Sequence, residues 1–139
     1  HQFHSKRAPV FNSYRESFYP NGIKSVSSQI LSRLDKLGLA VLYMDDGCYS
    51  PQNHERGSVR ICTDNFAKEE VCLIGDFILE KWGIPFLVRK DYRGYYRLSL
   101  YQGAYVEKFL ELIRPYVEPI KCMNRKLSRE YDEAFGDLD

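Results

Sequence analysis

Apolar residues recur along this chain with periods that change from segment to segment. Val10, Phe11, Tyr14 and Phe18 are spaced for one face of a helix, and Pro20-Asn21-Gly22 should end it. Residues 24–36, "KSVSSQILSRLDK", read as an irregular or short helical connection. Asp35 is a suitable N-cap for a helix from Lys36 to about Asp45. That helix carries Leu37, Leu39, Ala40, Val41, Leu42, Tyr43 and Met44, so it is apolar on nearly every side and predicts partners on more than one face. A polar loop is expected at 48–57, "CYSPQNHERG". Val59, Ile61 and Thr63 then alternate with Arg60, Cys62 and Asp64, the period of a half-buried strand. Residues 67–83 read as an amphipathic helix with Val71, Ile74, Phe77, Ile78 and Trp82 on one stripe, acids in the first turn and Gly83 at the end.

Residues 84–101 predict a hairpin turning at Asp91 to Gly94, and Val106, Phe109, Leu110 and Ile113 a last amphipathic helix. The order helix, strand, helix, hairpin, helix defines an α+β domain with no internal repeat. Alternation sends Arg60, Arg89, Tyr95, Arg97, Ser99 and Tyr101 to one face of the sheet, with Lys90 and Arg93 at the hairpin tip. Val59, Ile61, Val88, Tyr96, Leu98 and Leu100 should face the helices. Outward strand positions are polar in any antiparallel sheet, so the arginines suggest a nucleic-acid surface without establishing one.

Charge refines this picture. The net charge is +1, which alone argues against a nucleic-acid binder. Residues 130–139, "EYDEAFGDLD", hold five acids and no bases, so the rest of the chain has 20 bases against 14 acids. An acidic tail can mask a basic body, or simply be a solubilising end. No run approaches 18 apolar residues, and the start "HQFHSKRAPV" lacks a signal peptide's apolar core, so no membrane partner is expected. Cys48, Cys62, Cys72 and Cys122 form no CxxC pair and read as reduced thiols.

The chemistry concentrates at Asp45 and Asp46, where the apolar helix ends. The helix dipole leaves partial negative charge at that end and repels carboxylates. Burial would add several kcal/mol, on the order quoted for unpaired charges. One reading is a divalent cation that offsets both penalties. Mg²⁺ fits, since it takes one or two carboxylates together with waters and substrate phosphates. The other reading is an exposed helix end where both acids meet water.

Tyr43 to Asp46, "YMDD", is also the tetrapeptide of reverse-transcriptase palms, but only 42 residues precede it and the run before it lacks strand alternation. Leu39 to Gly47, "LAVLYMDDG", instead resembles the nine-letter motif of LAGLIDADG homing endonucleases, keeping its Leu-Ala start and Asp-Gly end. The similarity continues through "TDNF" (63–66), "EEV" (69–71), "LIRPYVEPIKCMNRKL" (112–127) and the lead-in "NGIKSVSSQILSRLDKLGLA" (21–40), and so covers about Phe3 to Leu127. It is closest in pattern to the second repeat of two-repeat, intron-encoded members. Departures are Asn65 for Ser, Ala67 where a capping Ser or Thr is common, and Arg125 for the Tyr before the final lysine.

The resemblance implies an antiparallel β-saddle packed against helices, with residues 1–25 as the tail of a preceding repeat and linker, 26–129 as one repeat, and 130–139 as an acidic tail. Residues 3–19 look like the last strand and helix of an upstream repeat, so the chain is expected to be the C-terminal portion of a two-repeat protein. A homodimer is the alternative. The implied activity is site-specific, divalent-metal-dependent hydrolysis of double-stranded DNA, with this chain supplying half the active site and inactive without a second repeat. Asp46 is implied as the metal-binding carboxylate, with Asp45 contributing its carbonyl to the metal. Mg²⁺ is the expected cofactor, and Mn²⁺ or Ca²⁺ could substitute. Lys126 ("RKL") and Lys24 ("GIKSV") match the family's lysines near the metals, and Asp64 could order nearby waters. Arg60, Arg89, Lys90, Arg93, Tyr95, Arg97, Ser99 and Tyr101 would meet DNA. The same fold also serves intron maturases acting on RNA and DNA-binding regulators without cleavage. An intracellular setting follows, either an organelle or a bacterial or phage-infected cytoplasm.

Overall fold

The computed structural model describes residues 6–51 and 57–127. Its helices are α1 (Val10–Phe18), the single-turn α2 (Ser28–Leu31), α3 (Lys36–Asp46), α4 (Lys68–Trp82) and α5 (Gly103–Val117), with a 3-10 helix at Lys121–Lys126. Its strands are β1 (Gly47–Ser50), β2 (Ser58–Cys62), β3 (Leu87–Lys90) and β4 (Tyr96–Leu100). They form one antiparallel sheet in the order β1-β2-β4-β3. The architecture is the expected α+β one.

The core lies where α3, α4 and α5 cover one face of this sheet. Leu39, Ala40 and Tyr43 of α3 meet Val59 and Ile61 of β2, Leu98 and Leu100 of β4, Val71, Ile74 and Ile78 of α4, and Val106, Phe109 and Ile113 of α5. Phe109 is its aromatic centre, with the rings of Tyr43 and Phe86 each set edge-on at 5.2 Å. Edge-to-face contacts of this kind contribute about 0.5–1.5 kcal/mol beyond area burial.

Local signals account for most boundaries. Asp35 caps α3 by accepting from the Gly38 N–H at 2.8 Å. Gly83 closes α4 in the left-handed region at φ 66°, which suits a residue without Cβ. The hairpin turns as predicted: the Asp91 carboxylate accepts from the N–H groups of Arg93 and Tyr95, and Gly94 has φ 95°.

Several expectations need correction. The stretch expected to be a polar loop begins with β1, whose Cys48 and Tyr49 pair with Arg60 and Val59; residues 52–56 of it lie outside the described residues. Tertiary pairing with β2 overrides the polar composition that suggested a loop. Helix α3 is buried on one face only, because Leu37 and Val41 are 50% and 53% exposed. Helix α1 forms where its spacing predicted but buries none of its residues. Residues 6–9 are not a strand, and the rest of the expected upstream strand and the acidic tail at 130–139 lie outside the described residues.

Candidate active site

Helix α3 runs into β1 with no intervening loop, and this junction sets the site. A Cβ on Gly47 would lie 2.0 Å from Tyr43 Cδ2 and 2.4 Å from the Tyr43 carbonyl oxygen. Only glycine lets the chain turn there, since φ at Gly47 is an ordinary −89° and space is the constraint. The motif's final glycine is therefore explained by close approach. Asp45 and Asp46 fill the last turn, and both are exposed. Among the described residues neither forms a salt bridge.

Tyr43 points inward from the same turn. Its hydroxyl donates at 2.8 Å to the carbonyl of Lys126, and the Lys126 ammonium in turn donates to the carbonyls of Tyr43 (3.4 Å) and Met44. This reciprocal clasp ties the end of α3 to the 3-10 helix 83 residues further on. A cation here satisfies helix-terminal carbonyls and opposes the dipole. Burial, followed by repulsion from Arg125, lowers the Lys126 pKa, while Cys48 and the carboxylates of Asp45 and Asp46 pull the other way.

Lys24 packs against Phe66. Its ammonium sits 4.8 Å from the Phe66 ring centroid. Lys24, Phe66, Thr63 and Asp46 line one cavity of about 450 Å³, together with Phe18, Ile30, Leu42 and Ile74 among others. Lys126 is thus bonded to the end of α3 that carries Asp46, and Lys24 shares a cavity lining with Asp46.

Glu70 holds the Lys24 segment in place, and sequence reasoning did not assign it a role. One of its carboxylate oxygens accepts from Ser25 Oγ (2.8 Å) and the Val26 N–H (2.9 Å), and the other accepts from the Ala67 N–H (2.8 Å). Glu70 is the acidic half of a capping box whose usual Ser or Thr is Ala67, so the available signal was an acid at the third position of α4. Desolvation raises its pKa, but the hydrogen bonds outweigh this and hold it below the usual range.

On the sheet face away from the core, the register sets Arg60 beside Ser99, and Arg97 between Cys62 and Arg89. Arg60, Arg89 and Arg97 therefore share the predicted face. Ser99 shares it too but is only 2% exposed, because it lies between Arg60 and Leu87, whose longer side chains cover it. Lys90 is exposed, but its register position opposite Tyr96 falls on the helix side, and its ammonium is 5.7 Å from that ring. Tyr95 and Tyr101 are exposed, and the Arg93 guanidinium lies 5.0 Å from the Tyr95 ring. Asp64, expected to order waters, pairs with Arg93 and Arg97 at the hairpin turn, where two cations face it.

Among the described residues, no three His, Cys, Asp or Glu side chains come together. A metal here would rest on one or two carboxylates, with other oxygens completing its shell. That is the donor set Mg²⁺ accepts.

A four-stranded antiparallel sheet backed by helices, with acids at the foot of an apolar helix that leads straight into the first strand, defines a LAGLIDADG domain. The chain belongs to the LAGLIDADG DNA endonuclease family, whose sequence profile matches residues 1–109. It is 30% identical over 115 residues to Protein RecA of Mycobacterium gastri, covering 77% of this chain and 27% of that protein. It is 24% identical over 125 residues to the uncharacterized protein MJ1098 of Methanocaldococcus jannaschii, covering 86% and 48%. In structure it is similar to the homing endonuclease I-WcaI, solved bound to its DNA recognition sequence, with a TM-score of 0.73 and 22% identity over 86% of this chain and 52% of that one. The chain thus spans between about a quarter and a half of these relatives. Among the described residues no helix is long and apolar enough to cross a membrane.

Proposed function

We propose that this chain supplies one half of the active site of a homing-type DNA endonuclease, hydrolysing phosphodiester bonds with a divalent metal. The observation that carries the reading is the C-terminal end of α3. Two exposed carboxylates stand there against the helix dipole, with Lys126 bonded to the helix end and Lys24 lining the same cavity as Asp46, and among the described residues they form no salt bridge. Asp46 would hold Mg²⁺, with the Asp45 carbonyl as a further oxygen donor, and Mn²⁺ or Ca²⁺ would fit the same donors. When bound, the metal supplies activation of water and neutralisation of the leaving oxygen. Lys126, tethered to the helix carbonyls, and Lys24, lining the same cavity as Asp46, oppose negative charge developing on the phosphate.

The second half comes from another LAGLIDADG repeat, upstream in the same polypeptide or in a second copy. Leu37 and Val41, one turn apart on α3 and half exposed, offer the apolar strip against which a like helix would pack. Arg60, Arg89, Arg93 and Arg97, with Tyr95 and Tyr101, form the double-stranded DNA surface.

The test is Asp46→Asn in the intact protein with both repeats. Mg²⁺-dependent nicking of the target should vanish while DNA binding stays within about twofold of the parent's, a margin equivalent to ~0.4 kcal/mol. Equal cleavage by mutant and parent would refute the role of Asp46. A parent that binds DNA but never cleaves it would favour a binding-only or maturase protein on this fold.

A further inference from the structure

The acids and arginines at the turn of the β3–β4 hairpin close into a ring. Arg93 contacts Asp91 through Nε at 3.2 Å and Asp64 through Nη2 at 2.5 Å. Arg97 contacts Asp64 through Nε at 3.4 Å and Asp91 through Nη2 at 2.7 Å. Each acid thus touches both arginines, and the four formal charges cancel.

The two acids are not equivalent. Asp91 is built into the turn: one of its oxygens accepts from the Arg93 and Tyr95 N–H groups while the other faces the guanidiniums. Asp64 lies outside the hairpin, in the loop after β2, and its side-chain contacts are to the two guanidiniums. Its Oδ1 and the Arg97 Nε facing it are both buried without a well-directed hydrogen bond. Arg97 is the inner arginine, with a side chain only 16% exposed; Arg93 is the outer, at 42%. An arginine whose side chain is 42% exposed, with one guanidinium nitrogen on the turn acid and another on Asp64, can exchange the Asp64 contact for an external anion while Asp91 keeps the turn in place.

We propose that Asp64 is a built-in competitor of DNA phosphate, occupying Arg93 in the free protein and lowering affinity for DNA that brings no phosphate close enough to displace it. Arg93 then joins the interface only where the duplex is close enough for a phosphate to displace Asp64, and indiscriminate backbone binding is held down. The inference rests on the DNA-binding reading above and adds a specificity-determining residue outside the set that faces the duplex.

The experiment is Asp64→Asn in the intact protein, with binding to target and unrelated duplexes followed by fluorescence anisotropy between 50 and 200 mM salt. Freed of its competitor, Arg93 adds about one phosphate contact. On unrelated duplexes the plot of log affinity against log salt should therefore steepen by about 0.9, and affinity at 50 mM should exceed the parent's. Over that salt range the mutant's advantage should shrink roughly threefold. Arg93→Gln in both backgrounds separates this from misfolding, because it should cost more affinity in the Asp64→Asn protein than in the parent. On unrelated DNA, an unchanged salt slope, weaker binding, or an Arg93→Gln loss equal in the two backgrounds overturns the proposal. A parent with no salt-dependent DNA binding overturns both the proposal and the DNA-binding reading, whereas a binding parent with an unresponsive mutant overturns the proposal alone.

Discussion

Replacing Tyr43 with Phe tests the clasp on which the site depends. Tyr43 is fully buried, and burial pushes its phenol far above the ordinary value, so it stays a neutral donor across any working pH. Tyr43→Phe preserves the ring, its edge-on contact with Phe109 and nearly all its volume, so the cavity cost of a truncation does not arise. The hydrogen bond to the Lys126 carbonyl is lost. A typical net hydrogen bond is worth about 1 kcal/mol, and a carbonyl left unpaired in a buried position costs about 1–3 kcal/mol, so a loss of roughly 1–2 kcal/mol is expected. With a urea m-value of about 2 kcal/mol/M, the unfolding midpoint should fall by roughly 0.5–1 M with m unchanged. The 3-10 helix carrying Lys126 should loosen at the same time, so cleavage should fall further than DNA affinity does. A midpoint and cleavage rate equal to the parent's would refute the clasp.

Three further outcomes follow from the geometry. Gly47→Ala must displace the Tyr43 ring or the helix end, and overpacking of this kind costs about 1–3 kcal/mol or more; the thermal midpoint should drop by on the order of 5 °C, and an unchanged midpoint would refute the close approach. Glu70 has a lowered pKa in the folded chain, so its stabilisation is complete above the unfolded carboxylate value of about 4.3 and is lost as pH falls through the lower folded value. In Glu70→Gln, thermal stability at neutral pH should be lower and its fall toward acid pH flatter, and a parallel acid limb would count against the linker clamp. Arg89→Gln, on the exposed edge strand, should weaken binding to target and unrelated duplexes alike if Arg89 meets phosphate, and reduce the salt slope by about one; a change confined to the target would instead assign it to a base.

How much could be read without coordinates depended on the range of each interaction. The cap at Asp35, the left-handed stop at Gly83 and the Asp91 turn are settled within a few residues of chain, so local pattern sufficed. The alternation in β2 and β4 likewise placed Val59, Ile61, Leu98 and Leu100 inward, because pleating leaves no other choice once one face is buried. The motif residues Asp45, Asp46 and Gly47 stood out because two carboxylates at the end of an apolar helix need a reason.

What escaped is what required distant partners. Strand β1 looks like a polar loop until β2 pairs with it. Ser99 alternates correctly, yet Arg60 and Leu87 on the flanking strands cover it. Asp64 acquired its guanidinium partners only when the β2 loop met a hairpin 29 residues away, and Glu70 reached a linker 44 residues upstream. Chain order thus determined which faces are apolar and where the chain turns, since those follow from backbone sterics and side-chain period. The pairing of charges, the clasp between Tyr43 and Lys126, and the cavity that Lys24 and Asp46 share were decided by tertiary structure, because electrostatic and hydrogen-bond energies depend on distances no local pattern encodes.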